Sequence, residues 1–248
     1  MTQRSHCSSE QDRLIEPTEL LARIPREARS MVTGGRAAGL EAPVPSCPDW
    51  DVTDLLRHVG KIHRWVARVL ATGDMNVPRP EGTAPRGPEL FAWVEAGADE
   101  LLAVGTEVGP TATVTNWAQQ TPVAAFWFRR MGNEVAVHAW DARNAAGDPE
   151  PIEAELAADA IDEWLTVMGP MRPPEGLTGT VHIHCTDVNA DWTVDLATFA
   201  TQRGSAAADA ELRGPASGLL LRLLNRSDEG EVRGNPDVLA QWGDKVRF

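Results

Sequence analysis

Val52-Thr53-Asp54-Leu55-Leu56-Arg57-His58-Val59-Gly60-Lys61-Ile62-His63-Arg64-Trp65-Val66-Ala67-Arg68-Val69 is the stretch that decides the fold. Val52, Leu55, Leu56, Val59, Ile62, Val66 and Val69 recur at helical spacing and make one apolar stripe. Asp51 stands where a carboxylate accepts from first-turn amides, and Asp54, three residues on, completes a carboxylate version of the capping box. Gly73 is placed to stop the helix. The same texture, long segments rich in Ala, Leu and Glu broken by Pro/Gly loops, extends from Pro17 to about Met168 and predicts further helices over 18–38, 88–104, 122–146 and 152–168. Thr121 before Pro122 reads as a cap followed by a proline at the first helical position, and Gly147 as the matching stop. Helices that each carry one apolar face bury it most simply as a bundle.

Beyond about Thr178 the period changes from helical to alternating. Thr180-Val181-His182-Ile183-His184-Cys185 and Trp192-Thr193-Val194-Asp195-Leu196 flank a turn-rich connection and predict a β-hairpin. A strand over 207–213, a helix over 215–225, a short strand near 231–233 and a helix over 236–242 follow. The Pro- and Gly-dense segment from Met168 to Gly176 marks the boundary. The expected class is therefore α+β: a polar leader over 1–14, a helical bundle over 15–170 and a small α+β domain over 178–248.

Composition narrows the partners. With 23 Lys+Arg against 36 Asp+Glu in 248 residues, the formal charge of −13 disfavours nucleic acid and anionic membrane, which demand clustered positive charge. No apolar run approaches the roughly 20 residues needed to cross a bilayer. The N-terminus has no hydrophobic centre, so no signal peptide is expected and the chain reads as cytoplasmic. Cys7, Cys47 and Cys185 are odd in number and contain no CxxC, which fits neither a disulfide framework nor a cysteine-rich zinc module.

Chemistry is sought among polar residues lying on apolar stripes. Val123, Trp127, Met131, Glu134 and His138 fall within an arc of about 80° on the fourth helix. A carboxylate facing a core costs several kcal/mol, at the order-of-magnitude level, unless it is paired or binds a metal. Glu134 therefore pairs with His138 or Arg130, or it joins His138 as a metal ligand. The second helix offers a third ligand, His58 or His63, and periodicity does not choose between them. Two histidines and one carboxylate would leave a coordination position open for water or substrate. Asp141, one turn beyond His138, is placed to close that position if it coordinates. His182 and His184 share a strand face, where a His-x-His can bind metal, although a partly exposed face accounts for them. Cys47, between Pro45 and Pro48 in a segment with no activating cation, reads as structural.

The segment Cys47-Pro48-Asp49-Trp50-Asp51-Val52-Thr53-Asp54-Leu55-Leu56-Arg57-His58 resembles a signature of the mycothiol-dependent maleylpyruvate isomerase family, actinobacterial proteins with a DinB-like N-terminal bundle. Glu134-Val135-Ala136-Val137-His138-Ala139-Trp140-Asp141 resembles that family's second signature. Thr186-Asp187, Asp191-Trp192-Thr193-Val194 and the run from Gly214 to Leu221 with Arg226 resemble its C-terminal module. The resemblance spans about 15–245 in unbroken motif order.

What it implies is specific. The family's metal ligands fall on His58, Glu134 and His138, and His63 is left as a structural histidine. A family arginine associated with the active site falls on Arg226, and a second falls in the loop 76–88, which holds Arg79 and Arg86. The implied cofactors are zinc, or another divalent metal, and mycothiol. The implied activity is addition of a metal-bound thiolate to an electrophilic, anionic small molecule, with cis–trans isomerisation as the outcome. S-transfer to another electrophile and a non-catalytic ligand-binding module are the alternatives. Arg226 would bind a carboxylate or stabilise an enolate.

Overall fold

The computed structural model describes residues 15–79, 84–118, 120–171 and 175–245. The expected leader over 1–14 lies outside the described residues. Asp51 caps as its sequence position requires: its side chain accepts from the Asp54 amide at 2.8 Å, and the Asp54 carboxylate accepts from the Asp51 amide. The helix it opens, α2, spans Val52–Thr72 and ends on Gly73 in the left-handed region, where a residue without Cβ is unstrained. It is joined by α1 (Pro17–Ala38), α3 (Glu89–Val108) and α4 (Ala124–Ala145). In the bundle α1 lies along α4, and α2 lies along α3. The apolar stripe of α2 is buried with Leu21, Ile24, Met31, Leu90, Leu101, Trp127 and Met131 in one core.

The start of the fourth helix differs from the sequence expectation, and other element ends differ by up to four residues. α4 starts at Ala124, not at Pro122, and Thr121 does not cap it. The Thr121–Val123 backbone is held extended instead: Val123 bridges Thr113, and the Pro122 carbonyl accepts from the Val114 amide. Those hydrogen bonds compete successfully with a first helical turn.

The fifth helix, α5 (Ala154–Glu163), continues through a π-helical turn at Trp164–Met168 and a last turn at Gly169–Met171. Its apolar face does not join the bundle core. Leu156, Ala157, Ile161 and Leu165 are buried with the sheet residues Val181, Ile183, Trp192, Val194 and Leu212, so α5 seats the C-terminal region on the bundle.

That region is a five-stranded sheet of β1 (Thr180–Cys185), β2 (Asp191–Asp195), β3 (Thr201–Arg203), β4 (Ala210–Gly214) and β5 (Glu231–Gly234). The spatial order is β3-β2-β1-β4-β5, with β1 and β4 parallel and the other neighbours antiparallel. The expected hairpin is present as β1–β2, with His184 opposite Asp191. Helices α6 (Ala216–Leu223) and α7 (Pro236–Lys245) complete the region. The short edge strand β3 has no apolar alternation, so its sequence carries no strand signal. Buried charges stitch the parts together. Arg129 of α4 donates to Asp159 and Asp162 of α5 at 2.8 Å each, and Asp162 also accepts from Trp192 of β2 and Arg203 of β3 at 2.8 Å.

Candidate metal centre

Helical spacing in α4 puts Glu134 and His138 one turn apart on one face, and α2 brings His58 opposite them. His58 Nε2 lies 3.2 Å from Glu134 Oε1, and the His58 and His138 rings meet edge to face with centroids 5.2 Å apart. One ligand atom from each of the three residues lies within 4.8 Å of the others. His63 is buried on the stripe of the same helix and is not part of this cluster.

The surroundings explain how a carboxylate tolerates this position. Burial alone would raise the Glu134 carboxyl, but the hydrogen bond from His58 and the Arg130 and His138 charges hold it at about 2. Arg130 Nε is 3.4 Å from Glu134 Oε2, and Arg130 Nη1 donates to Glu163 at 2.7 Å. The i−4 pairing with Arg130 and the approach of His58 therefore coexist, one on each carboxylate oxygen.

Asp141 sits behind His138. Its Oδ2 accepts from His138 Nδ1 at 2.9 Å, and the same carboxylate accepts from Ser46 Oγ and from Arg226. With Nδ1 as the donor, the Nε2 lone pair of His138 is left for a ligand. Asp141 thus orients a histidine and is not one of the converging donors. Its carboxyl lies well below the ordinary range: burial pushes it up, but the His138 and Arg226 hydrogen bonds and charges outweigh that. A histidine whose second nitrogen donates to a buried carboxylate is the usual second layer of a metal site. Two imidazole nitrogens, one ionised carboxylate oxygen and a 3.2 Å His58–Glu134 separation fit a tetrahedral divalent ion, whose ligands at about 2.0–2.1 Å stand about 3.3 Å apart.

These donors line a cleft of about 700 Å³ between the bundle and the C-terminal region. Five of the nine tryptophans line it, Trp50, Trp65, Trp117, Trp127 and Trp164, and Trp50 lies 4.9 Å from the His58 ring. Arg226 enters from the C-terminal region, and Arg79 lies at the cleft with its guanidinium 5.0 Å over the Trp65 ring. Arg86 is exposed and is not among the lining residues. Cys47 lines the cleft too, but burial and the Asp141 charge push its thiol up, so it is not poised as a nucleophile. A smaller cleft of about 420 Å³ shares only Asn225 and Arg226 with this one and touches none of the three donors.

Residues 21–143 match the family model of the mycothiol maleylpyruvate isomerase N-terminal domain. The helical bundle belongs to that family. The match takes in His58, Glu134, His138 and Asp141 and ends within α4, before the C-terminal region begins. Two uncharacterized proteins of Mycobacterium tuberculosis, one from strain CDC 1551 / Oshkosh and one from strain H37Rv, are each 29% identical over 141 residues, covering 57% of this chain and 73% of the relative. No solved structure matches the chain significantly. Membership in the mycothiol maleylpyruvate isomerase N-terminal domain family links the bundle to mycothiol-related, metal-binding function. Among the described residues, no helix is long and apolar enough to cross a membrane.

Several cleft residues carry no readable signal in the chain. Glu163 and Asn133 meet beneath the cleft, where Asn133 Nδ2 donates to Glu163 at 3.1 Å, across a sequence separation that no local pattern spans. Ser46 reaches Asp141 only because the loop before α2 folds back, with Pro43 bridging Asp51.

Proposed function

We propose that this protein is a zinc-dependent, mycothiol-using enzyme that adds the cofactor thiolate to an electrophilic, anionic small molecule and isomerises it in the cis–trans manner of maleylpyruvate. The observation that carries this reading is the convergence of His58, Glu134 and His138 on one wall of a tryptophan-lined cleft, with Asp141 fixing the His138 tautomer. An ion held by these residues supplies a Lewis acid that lowers the pKa of an entering thiol. Glu134 and His138 contribute by being ionised and oriented in advance, so neither must reorganise when cofactor arrives.

The isomerisation needs no redox partner, because a thiolate supplied by bound mycothiol would add to and leave the same conjugated alkene carbon with no net change of electrons. His58, Glu134 and His138 would hold the ion that keeps that thiol deprotonated. Arg226 carries a fixed positive charge into the cleft to stabilise negative charge on the substrate carbonyl oxygen: among the described residues, Asp141 and the Leu224 carbonyl engage its Nε and one hydrogen on each terminal nitrogen, leaving one on each. Arg79 is the cation we assign to the substrate carboxylate. The tryptophan walls give the cleft a largely apolar lining, and an electrostatic contact is stronger beside such a lining than in bulk water.

The test is incubation of the zinc-loaded protein with mycothiol and a panel of cis-unsaturated acids and other electrophiles, following geometric isomerisation by NMR and adducts by mass. Thiol-dependent isomerisation that disappears in Glu134→Ala and His138→Ala is the expected result. Stable adducts without isomerisation would assign S-transfer instead. No turnover of any kind would overturn the enzyme reading and leave a ligand-binding module.

A further inference from the structure

The sheet has two unlike faces. Val181, Ile183, Cys185, Trp192, Val194 and Leu212 are buried against the helices, so strand alternation sends His182 and His184 to the opposite side. Register then fixes their neighbours: Asp191 of β2 stands opposite His184, and Glu211 of β4 stands beside His182. His182 Nε2 is 3.2 Å from Asp191 Oδ2, and the two imidazole centroids are 5.9 Å apart. One ligand atom from each of His182, His184 and Asp191 lies within 4.8 Å of the others.

We propose that His182, His184 and Asp191 form a second transition-metal site, on the outer face of the sheet and separate from the cleft. Two imidazoles and a carboxylate select a zinc-type ion over calcium or magnesium, which prefer all-oxygen shells. The 3.2 Å separation of His182 and Asp191 is the edge of a tetrahedral shell of about 2 Å radius, and a ligand atom of His184 lies within 4.8 Å of both. Without an ion the same distance is a hydrogen bond, which holds two of the three ligands in place beforehand. The donors rise from paired strands, not loops, and His182 is only 13% exposed, so its ring is already largely desolvated. Arg213, opposite His184 in β4, is the nearby opposing charge, and Glu231 stands across from it in β5 to offset it. Glu211 adds negative charge beside His182.

This site is independent of the enzyme reading, because none of its residues lines the cleft. The test is equilibrium dialysis of the full chain against zinc, in wild type, in His182→Gln/His184→Gln and in His58→Gln/His138→Gln. Wild type should hold about two ions per chain, and the strand variant should lose one of them. Zinc content unchanged by the strand variant overturns the proposal. The helix variant reports separately on the cleft, so failure of one assignment does not imitate failure of the other. Should the strand variant not fold, Asp191→Asn, at the more exposed end, reads the same site. Weakening of one binding phase by about tenfold or more is expected, and an unaltered isotherm overturns the proposal.

Discussion

Arg226 of the C-terminal region grips Asp141 of α4 through Nε and Nη2, at 2.8 and 3.0 Å. Both groups are buried, the Asp141 side chain fully and Arg226 to within 8%. Because Asp141 in turn accepts from His138, the contact runs from the C-terminal region through one carboxylate to a candidate metal ligand. A bundle family and an added α+β region are thereby coupled at the site, and the orientation of His138 depends on residues from both.

Asp141→Asn should weaken zinc binding by about 10- to 100-fold, the usual cost of losing a carboxylate behind a metal-bound histidine. The amide oxygen can still accept one hydrogen bond from Arg226, but the buried guanidinium loses its counter-charge at a cost of about 3–5 kcal/mol, so the affinity is measured where circular dichroism shows the variant folded. Competition with a chromophoric chelator measures the change. Wild-type affinity in this variant would show that Asp141 does not position His138.

Arg226→Ala should destabilise the protein by about 3–5 kcal/mol, because it leaves Asp141 charged and buried without its guanidinium counter-charge. Arg226→Lys restores the charge but not the two-pronged geometry, so it should recover only part of that loss. Urea unfolding of the three proteins checks the order. If Arg226→Ala unfolds at the wild-type midpoint, the pair contributes nothing to holding the C-terminal region.

The sequence made some of this visible and hid the rest for identifiable reasons. The start of α2 was legible because Asp51 and Asp54 act within one turn, and the β1–β2 hairpin because alternation is local. Glu134 and His138 stood out as polar residues on an apolar stripe, but the wheel of α2 left His58 and His63 open, and the resemblance chose His58. The structure separates them by angle and burial: His63 turns into the core, and His58 turns to the cleft. Thr121-Pro122 misled because its backbone pairs with a loop some ten residues away, which no cap rule includes. The anchoring of Asp141 was unreadable for the same reason, since Arg226 and Ser46 arrive from distant chain segments, whereas its contact with His138 lies within one turn of α4.

Gly34→Ala should cost about 1–3 kcal/mol through overpacking. A Cβ there would come within 2.8 Å of the Arg143 amide nitrogen and 2.9 Å of the Ala142 carbonyl carbon. Both are backbone atoms of α4, which cannot rotate away as a side chain can. The close approach of α1 to α4 is therefore tied to a residue without a side chain. A thermal melt lowered by several degrees, with zinc content retained, is the expected outcome; an unchanged melt would mean that the helices separate without penalty.

His63 supplies a pH dependence whose sign is fixed by burial. Its ring is 1% exposed, and Nδ1 has no hydrogen-bond partner among the described residues. Burial holds its pKa at about 4, and the opposing pull of Glu134 does not restore it. The unfolded chain takes up this proton near pH 6.5, whereas the folded protein does not until about pH 4. Stability from this group is therefore complete above pH 6.5 and falls as the pH drops toward 4, by about 3 kcal/mol in all. His63→Phe fills much of the same volume without a titrating group, so the chelated variant should lose less stability than chelated wild type between pH 6.5 and 4.5. Chelation keeps proton competition at the candidate metal site out of both curves. Parallel stability profiles for the two proteins over that range would mean that His63 takes up its proton in the folded state as readily as in the unfolded chain.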